Sequence, residues 1–160
     1  MNKTTANHGF QVPGFAAAGI SCGIKTNKQK DLALIFSEEP AVVAGVFTAN
    51  KIVSPTVTWC RKVLGSSKTF RAIVVNSGNA NACNGQKGME DCKSVASRLA
   101  RELSISPKEV LMASTGIIGV PLPSGKIIKA LPTLSNKLSS TGWTHSAEAI
   151  MTTDQTAKSK

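Results

Sequence analysis

"RAIVVNSGNANACNG", residues 71–85, decides the architecture of this 160-residue chain. Its first half, through Val75, is a compact run of the kind that forms a buried strand. Its second half is a loop of Asn, Gly and Ala, with asparagines at 76, 79, 81 and 84. Asn and Gly tolerate left-handed backbone, and Asn amides bridge to nearby N–H groups, so a rigid, tightly wound loop is expected. The next segment, 86–103, repeats Met89, Cys92, Val95, Ala96, Leu99 and Leu103 at three- and four-residue steps. Lys93, Arg98, Arg101 and Glu102 lie mostly off that stripe, which makes it an amphipathic helix. "SPKEVLMAS" (106–114) then supplies another strand. The centre of the chain thus alternates strand, helix, strand.

Outward from this unit the signals are shorter. "DLALIFS" (31–37) and "AVVAGVFT" (41–48) flank "EEP" and predict an antiparallel hairpin. "FQVPGFAAAGISCGI" (10–24) is rich in Gly and Ala, with a Pro-Gly turn at 13–14. In "SPTVTWCRKVLG" (54–65), Ser54 as N-cap, Pro55 at the first position and Gly65 as a stop predict a helix. "SGKIIKALPTLSNKLS" (124–139) predicts a helix interrupted at Pro132. "THSAEAIMTTD" (144–154) predicts a short last helix capped by Thr144 or Ser146. Hairpins followed by alternating strands and helices give an α/β or α+β layered fold over one domain, 1–160.

Composition narrows the partners. With 41% hydrophobic and 4% aromatic residues, and no tyrosine, the core rests on aliphatic side chains and packed glycines. No apolar stretch approaches the roughly 18 residues needed to span a bilayer. The N-terminus carries no targeting signal, so a cytoplasmic protein without a membrane partner is expected. Cysteines at 22, 60, 83 and 92 form no Cys-x-x-Cys pair, and His8 and His145 stand apart, which predicts buried reduced thiols and no metal site. The net charge of +10 raises a competing reading, a basic module that binds nucleic acid or an acidic partner. The basic residues are scattered and lack interleaved aromatics, which favours a solvated surface.

Three stretches could carry chemistry. "STG" at 114–116 puts two hydroxyls and an unhindered amide at the end of a strand, a constellation able to donate to an oxyanion, though such tripeptides are usually turns. "NSGNANACNG" is a rigid loop or one that brings backbone and amides close to a ligand; it is neither a Walker loop nor a dinucleotide fingerprint, so phosphate is not its expected ligand. "IMTTD" (150–154) pairs two threonines with an acid, to bind a polar substrate or to cap an element. Two isolated histidines build no Ser-His-Asp or Cys-His set.

Together, "GFAAAGISCGIK", "DLALIFSEEPAVVAGVFTAN", "RAIVVNSGNANACNG", "EVLMASTGIIGVPLP" and "AEAIMTTD" resemble, in order and context, the amino-terminal part of the glutamate N-acetyltransferase (ornithine acetyltransferase) family of arginine biosynthesis. The resemblance runs from about Gly14 to Asp154. It implies a layered αββα sandwich reminiscent of N-terminal nucleophile hydrolases. It also implies a precursor that cleaves itself before a threonine into α and β chains assembled as α2β2. That new terminal threonine would lie beyond Lys160, so the present chain by itself would be inactive. In this scheme acetyl passes from N-acetylornithine to glutamate without a bound cofactor, acetyl-CoA serving as donor in bifunctional members. Thr115 and Gly116 match the family's oxyanion pair, and Thr152 matches a substrate-binding threonine. Asn84 stands where a threonine is usual, and "LPSGKI" replaces a usual "LPMxKI".

Overall fold

The computed structural model describes residues 11–154 and Ala157. Strands β1 (Phe15–Ile20), β2 (Leu32–Ala41), β3 (Phe70–Asn79) and β4 (Val110–Ile117) form one sheet in that spatial order. Helix α1 (Pro55–Leu64) precedes β3, and α2 (Gly85–Leu103) joins β3 to β4. Helices α3 (Ser124–Asn136) and α4 (Trp143–Ile150) follow. β1, β2 and β3 pair antiparallel, and β3 and β4 pair parallel. The parallel pair is what the long α2 crossover allows, since parallel neighbours cannot be joined by a tight turn.

Register sorts the strands into two faces. Ala18, Leu34, Val74 and Met112 stand side by side, as do Ile20, Leu32, Asn76 and Ser114. On this face α1, α2 and α3 close the core through Trp59, Val63, Val95, Leu99, Ile127, Leu131 and Leu134. Trp59 Nε1 donates to the Val110 carbonyl at 2.9 Å and Cys60 Sγ to the Met112 carbonyl at 3.1 Å, which pins α1 over β4. After α3 the chain pairs Ser139 with Ala17 at the free edge of β1 and passes to the other face. There α4 crosses one end of the sheet, while Ile35, Ile73 and Val75 are only half-buried and Ala113 is exposed. The described residues therefore supply one sheet and its helical layer, a mixed α/β arrangement.

Four local expectations are corrected. β2 runs through Ala41 without a turn, and its hairpin partner is β1, because "EEP" continues the strand past a register shift. Residues 42–53 form no strand, and Val42, Val46 and Ile52 are exposed. Pro132 sits inside α3 without ending it. Finally, α4 begins after Gly142 with no side-chain cap, and Ser146 is buried instead. Cys83 is also exposed, unlike Cys60 and Cys92, and all four thiols are free.

The seat of α4 depends on Gly19. A Cβ there would lie 1.9 Å from the His145 carbonyl oxygen, a collision with backbone that cannot turn away. Gly19→Ala should cost about 3 kcal/mol, the upper range for overpacking, and lower Tm by roughly 6–12 °C. Calorimetry on the variant checks this; an unchanged melt would mean that α4 is not held against β1.

Candidate active site

The site is built from the carboxyl ends of β3 and β4 upward. Ser114 faces the helical layer and donates to Asn76 Oδ1 at 2.6 Å, while the Asn76 amide donates to the Asn79 carbonyl at 2.8 Å. Thr115, one residue on, projects to the opposite face as strand alternation requires. It is exposed, and its hydroxyl has no hydrogen-bond partner among the described residues. Gly116 follows with φ +132°, directly beside Gly78 with φ +95°. A Cβ on Gly116 would stand 2.4 Å from the Gly78 carbonyl carbon, so only glycine permits this approach.

The second wall is the loop between β1 and β2. It winds around Asp31, which is fully buried and accepts from the backbone N–H groups of Cys22 (2.6 Å), Ile24 (2.6 Å) and Lys25 (2.9 Å). Burial first, and then the Asp31 charge, pushes the Cys22 thiol up to about 12, so it stays protonated. Lys25 lies on this wall. Desolvation lowers its pKa from the ordinary lysine value, with Asp31 opposing the shift.

The third wall is the segment after α4. Ser77 Oγ donates to the Ala149 carbonyl at 2.6 Å, tying the end of α4 to β3. Thr152 and Thr153 come next, exposed, their hydroxyls also without partners among the described residues. The three walls enclose an open cleft of 590 Å³ lined by Lys25, Gly78, Thr115, Gly116, Thr152 and Thr153, among others. Thr152 also borders an adjoining hollow of 420 Å³ that holds Lys28, Lys30, Glu148 and Asp154. There Lys30 pairs with Glu148 and meets His145 Nδ1 at 2.7 Å.

Thr115, Gly116 and Thr152, far apart in sequence, thus share one cleft. Of the stretch 76–85 Gly78 lines it and the asparagines do not, and β3 runs on to Asn79, past the strand end at Val75 that composition suggested. Asn79 donates to the carbonyls of Val120 and Pro121, Asn81 to that of Gly88, and Asn84 to Asn81 Oδ1 and the Val120 carbonyl. That is the rigid loop expected from its composition, and Asn84 fits it without a threonine. Lys25 and Asp31 were not singled out by sequence reasoning. An acid at the mouth of an apolar strand was the one visible sign of Asp31, and Lys25 gave none. No group of three metal-ligating side chains occurs among the described residues.

The family described as the ArgJ family matches residues 16–160. The "Arginine biosynthesis bifunctional protein ArgJ" of Thermosynechococcus vestitus is 47% identical over 91% of this chain and 35% of its own length. That of Caldanaerobacter subterraneus is 48% identical over 88% of this chain and 34% of its own. The chain spans about a third of the length of these curated relatives. Among solved structures, the ornithine acetyltransferase of Mycobacterium tuberculosis, complexed with ornithine, superposes with a TM-score of 0.86 at 39% identity. That match covers 90% of this chain and 78% of the other. The ArgJ structure of Bacillus halodurans gives 0.83 at 34% identity, over 90% and 75%.

Two outcomes test this construction. Asp31→Ala leaves three inward-facing N–H groups unpaired and should cost about 3 kcal/mol in urea unfolding. An unchanged midpoint would show that the loop folds without its carboxylate. Glu148 is held below the ordinary carboxyl range, first by the hydrogen bond from Lys30, with burial opposing. A depressed carboxyl contributes stability that is present above its unfolded pKa and lost as pH falls through its folded value. Glu148→Gln should therefore flatten the stability-versus-pH curve on the acid side. An acid limb identical to that of the parent would remove the Lys30–Glu148 pair from the account.

Proposed function

Because the chain belongs to the ArgJ family, we propose that it is the oxyanion-binding and substrate-binding part of an enzyme that moves acetyl from N-acetyl-L-ornithine to L-glutamate. The observation that carries the reading is the meeting of Thr115, Gly116 and Thr152 in one cleft, with both threonine hydroxyls free of partners among the described residues. The serines beside them are engaged: Ser114 bonds Asn76 and Ser77 bonds Ala149. Hydroxyls left unpaired at a built corner are available to a ligand.

The chemistry follows from where charge develops. A threonine beyond Lys160, freed by self-cleavage, attacks the acetyl carbon of N-acetylornithine through Oγ. Its own α-amine takes the hydroxyl proton, so no histidine is needed. The carbonyl oxygen becomes an oxyanion, which receives hydrogen bonds from the Thr115 hydroxyl and the Gly116 N–H. Collapse breaks the C–N bond, the proton passes to the departing amine, and ornithine leaves an acetyl ester on the threonine. The amine of glutamate attacks that ester and regenerates the hydroxyl. Thr152 holds the amino-acid portion of donor and acceptor. The scheme needs no resident cofactor; acetyl-CoA, where used, enters as a substrate. The partner is the β chain of the same precursor, in an α2β2 assembly. Family membership favours this reading over a nucleic-acid module, for which the charge of +10 was the sole argument.

In the full-length protein, Thr115→Ala should lower kcat by about two orders of magnitude, roughly 3 kcal/mol, with KM for N-acetylornithine little changed. Thr115→Ser should be much milder. A lower melt with normal turnover would leave Thr115 as a turn residue only. Thr152→Ala should instead raise KM. The 1–160 chain alone should form no acetyl-enzyme, and mass spectrometry showing an acetylated side chain on it would overturn the placement of the nucleophile.

A further inference from the structure

We propose that Lys25 is a positioning residue, a clamp that holds Thr152 over the Gly78–Gly116 floor of the cleft; this rests on the acetyl-transfer reading above. Three features of its surroundings support the assignment. Its backbone N–H is fixed by the Asp31 carboxylate at 2.9 Å, so the side chain starts from a rigid point. Its stem lies on the sheet: a Cβ added to Gly78 would stand 3.2 Å from Lys25 Cγ, and Gly78 pairs directly with Gly116. Its ammonium then reaches across 126 positions of sequence to the Met151 carbonyl at 2.5 Å, and also takes the Lys30 carbonyl at 3.0 Å.

Met151 is the first residue after α4 and the one before Thr152. Thr152 and Thr153 take part in no side-chain hydrogen bond among the described residues. The carbonyl held by Lys25 belongs to the residue immediately before the threonine pair. The ammonium also lies in a partly dehydrated setting, which strengthens a charged hydrogen bond to a carbonyl. A single side chain thus joins the β1–β2 loop, the oxyanion strands and the segment after α4.

The test uses the full-length protein and the variants Lys25→Met, which keeps the stem and loses the donors, and Lys25→Arg. Lys25→Met should raise KM for N-acetylornithine about tenfold, the worth of one charged hydrogen bond, with kcat within about twofold of the parent. Lys25→Arg should recover most of that loss. Amide hydrogen exchange at Met151, whose N–H donates to the Glu148 carbonyl, should quicken in Lys25→Met while the sheet amides keep their protection. Unchanged exchange at the Met151 amide overturns the clamp, whatever the kinetics show. So does a fall in kcat and active fraction at unchanged KM, which would mark Lys25 as merely structural. A parent that transfers no acetyl group refutes the functional reading, and the exchange measurement still decides the clamp.

Discussion

The buried carboxylate of Asp31 is the constraint from which the site derives its shape. Its side chain gathers three backbone N–H groups of the β1–β2 loop. Its own N–H donates to the Ile20 carbonyl, and its carbonyl accepts from Ser77. One residue thereby fastens the end of β1, the start of β2 and the end of β3. A carboxylate inside a protein persists only where its oxygens are satisfied by donors, and backbone N–H groups are donors that no rotamer can withdraw. The loop therefore has a defined path, and Lys25 emerges from it in one direction.

Above that anchor the sheet divides its labour. The antiparallel half, β1 to β3, carries the anchored loop; the parallel pair, β3 and β4, carries the glycine corner. Two strands whose carboxyl ends run out together place Gly78 and Gly116 level with each other. Side-chain alternation then sends Ser114 into the helical layer and Thr115 into the cleft. Asn76 and Asn79 at the end of β3, and Asn84 in the loop after it, donate their amides to the Asn79 and Val120 carbonyls, so the corner is stiff before any ligand arrives. Stiffness matters because a donor that must reorganise during reaction loses much of its effect.

Strands β3 and β4 and helix α2 were legible in the sequence because hydrophobic period and loop composition agree there. Helix α1 was legible from Ser54 and Pro55; the Ser54 hydroxyl accepts from the Val57 N–H as a cap should. The failures share a cause. "AVVAGVFT" has the composition of a strand, but a strand needs a neighbour, and no described strand lies beside residues 42–53. Pro132 lacks an N–H, yet the burial of Leu131 and Leu134 against α2 and the sheet holds α3 together. Gly142 replaces a side-chain cap because a Cβ there would meet the Ala17 carbonyl at 1.8 Å. In each case tertiary contact outweighed local preference. The site residues split in the same way: "STG" and "TTD" could be read as hydroxyl clusters, whereas the Lys25 clamp spans 126 positions and has no local sign.

Under the proposed function, the value of Thr115 and Gly116 as oxyanion donors depends on water. A hydroxyl and an amide in bulk solvent stabilise a developing charge weakly, because solvent already does so; the same pair in a dry pocket is worth several kcal/mol. Thr115 and Gly116 are solvent-exposed in this chain, and the cleft between them and Thr152 is open. The residues that follow, Ile117, Ile118 and Val120, are exposed at 64%, 63% and 48%, an apolar rim immediately beside the donors. Apolar side chains in that position serve no purpose in water and an obvious one beneath a cover. The chain spans about a third of its curated relatives, and under the proposed function the remainder of such a protein would be that cover. Under the proposed function, this chain would set the geometry of the donors, and whatever closes over the rim would set their dielectric.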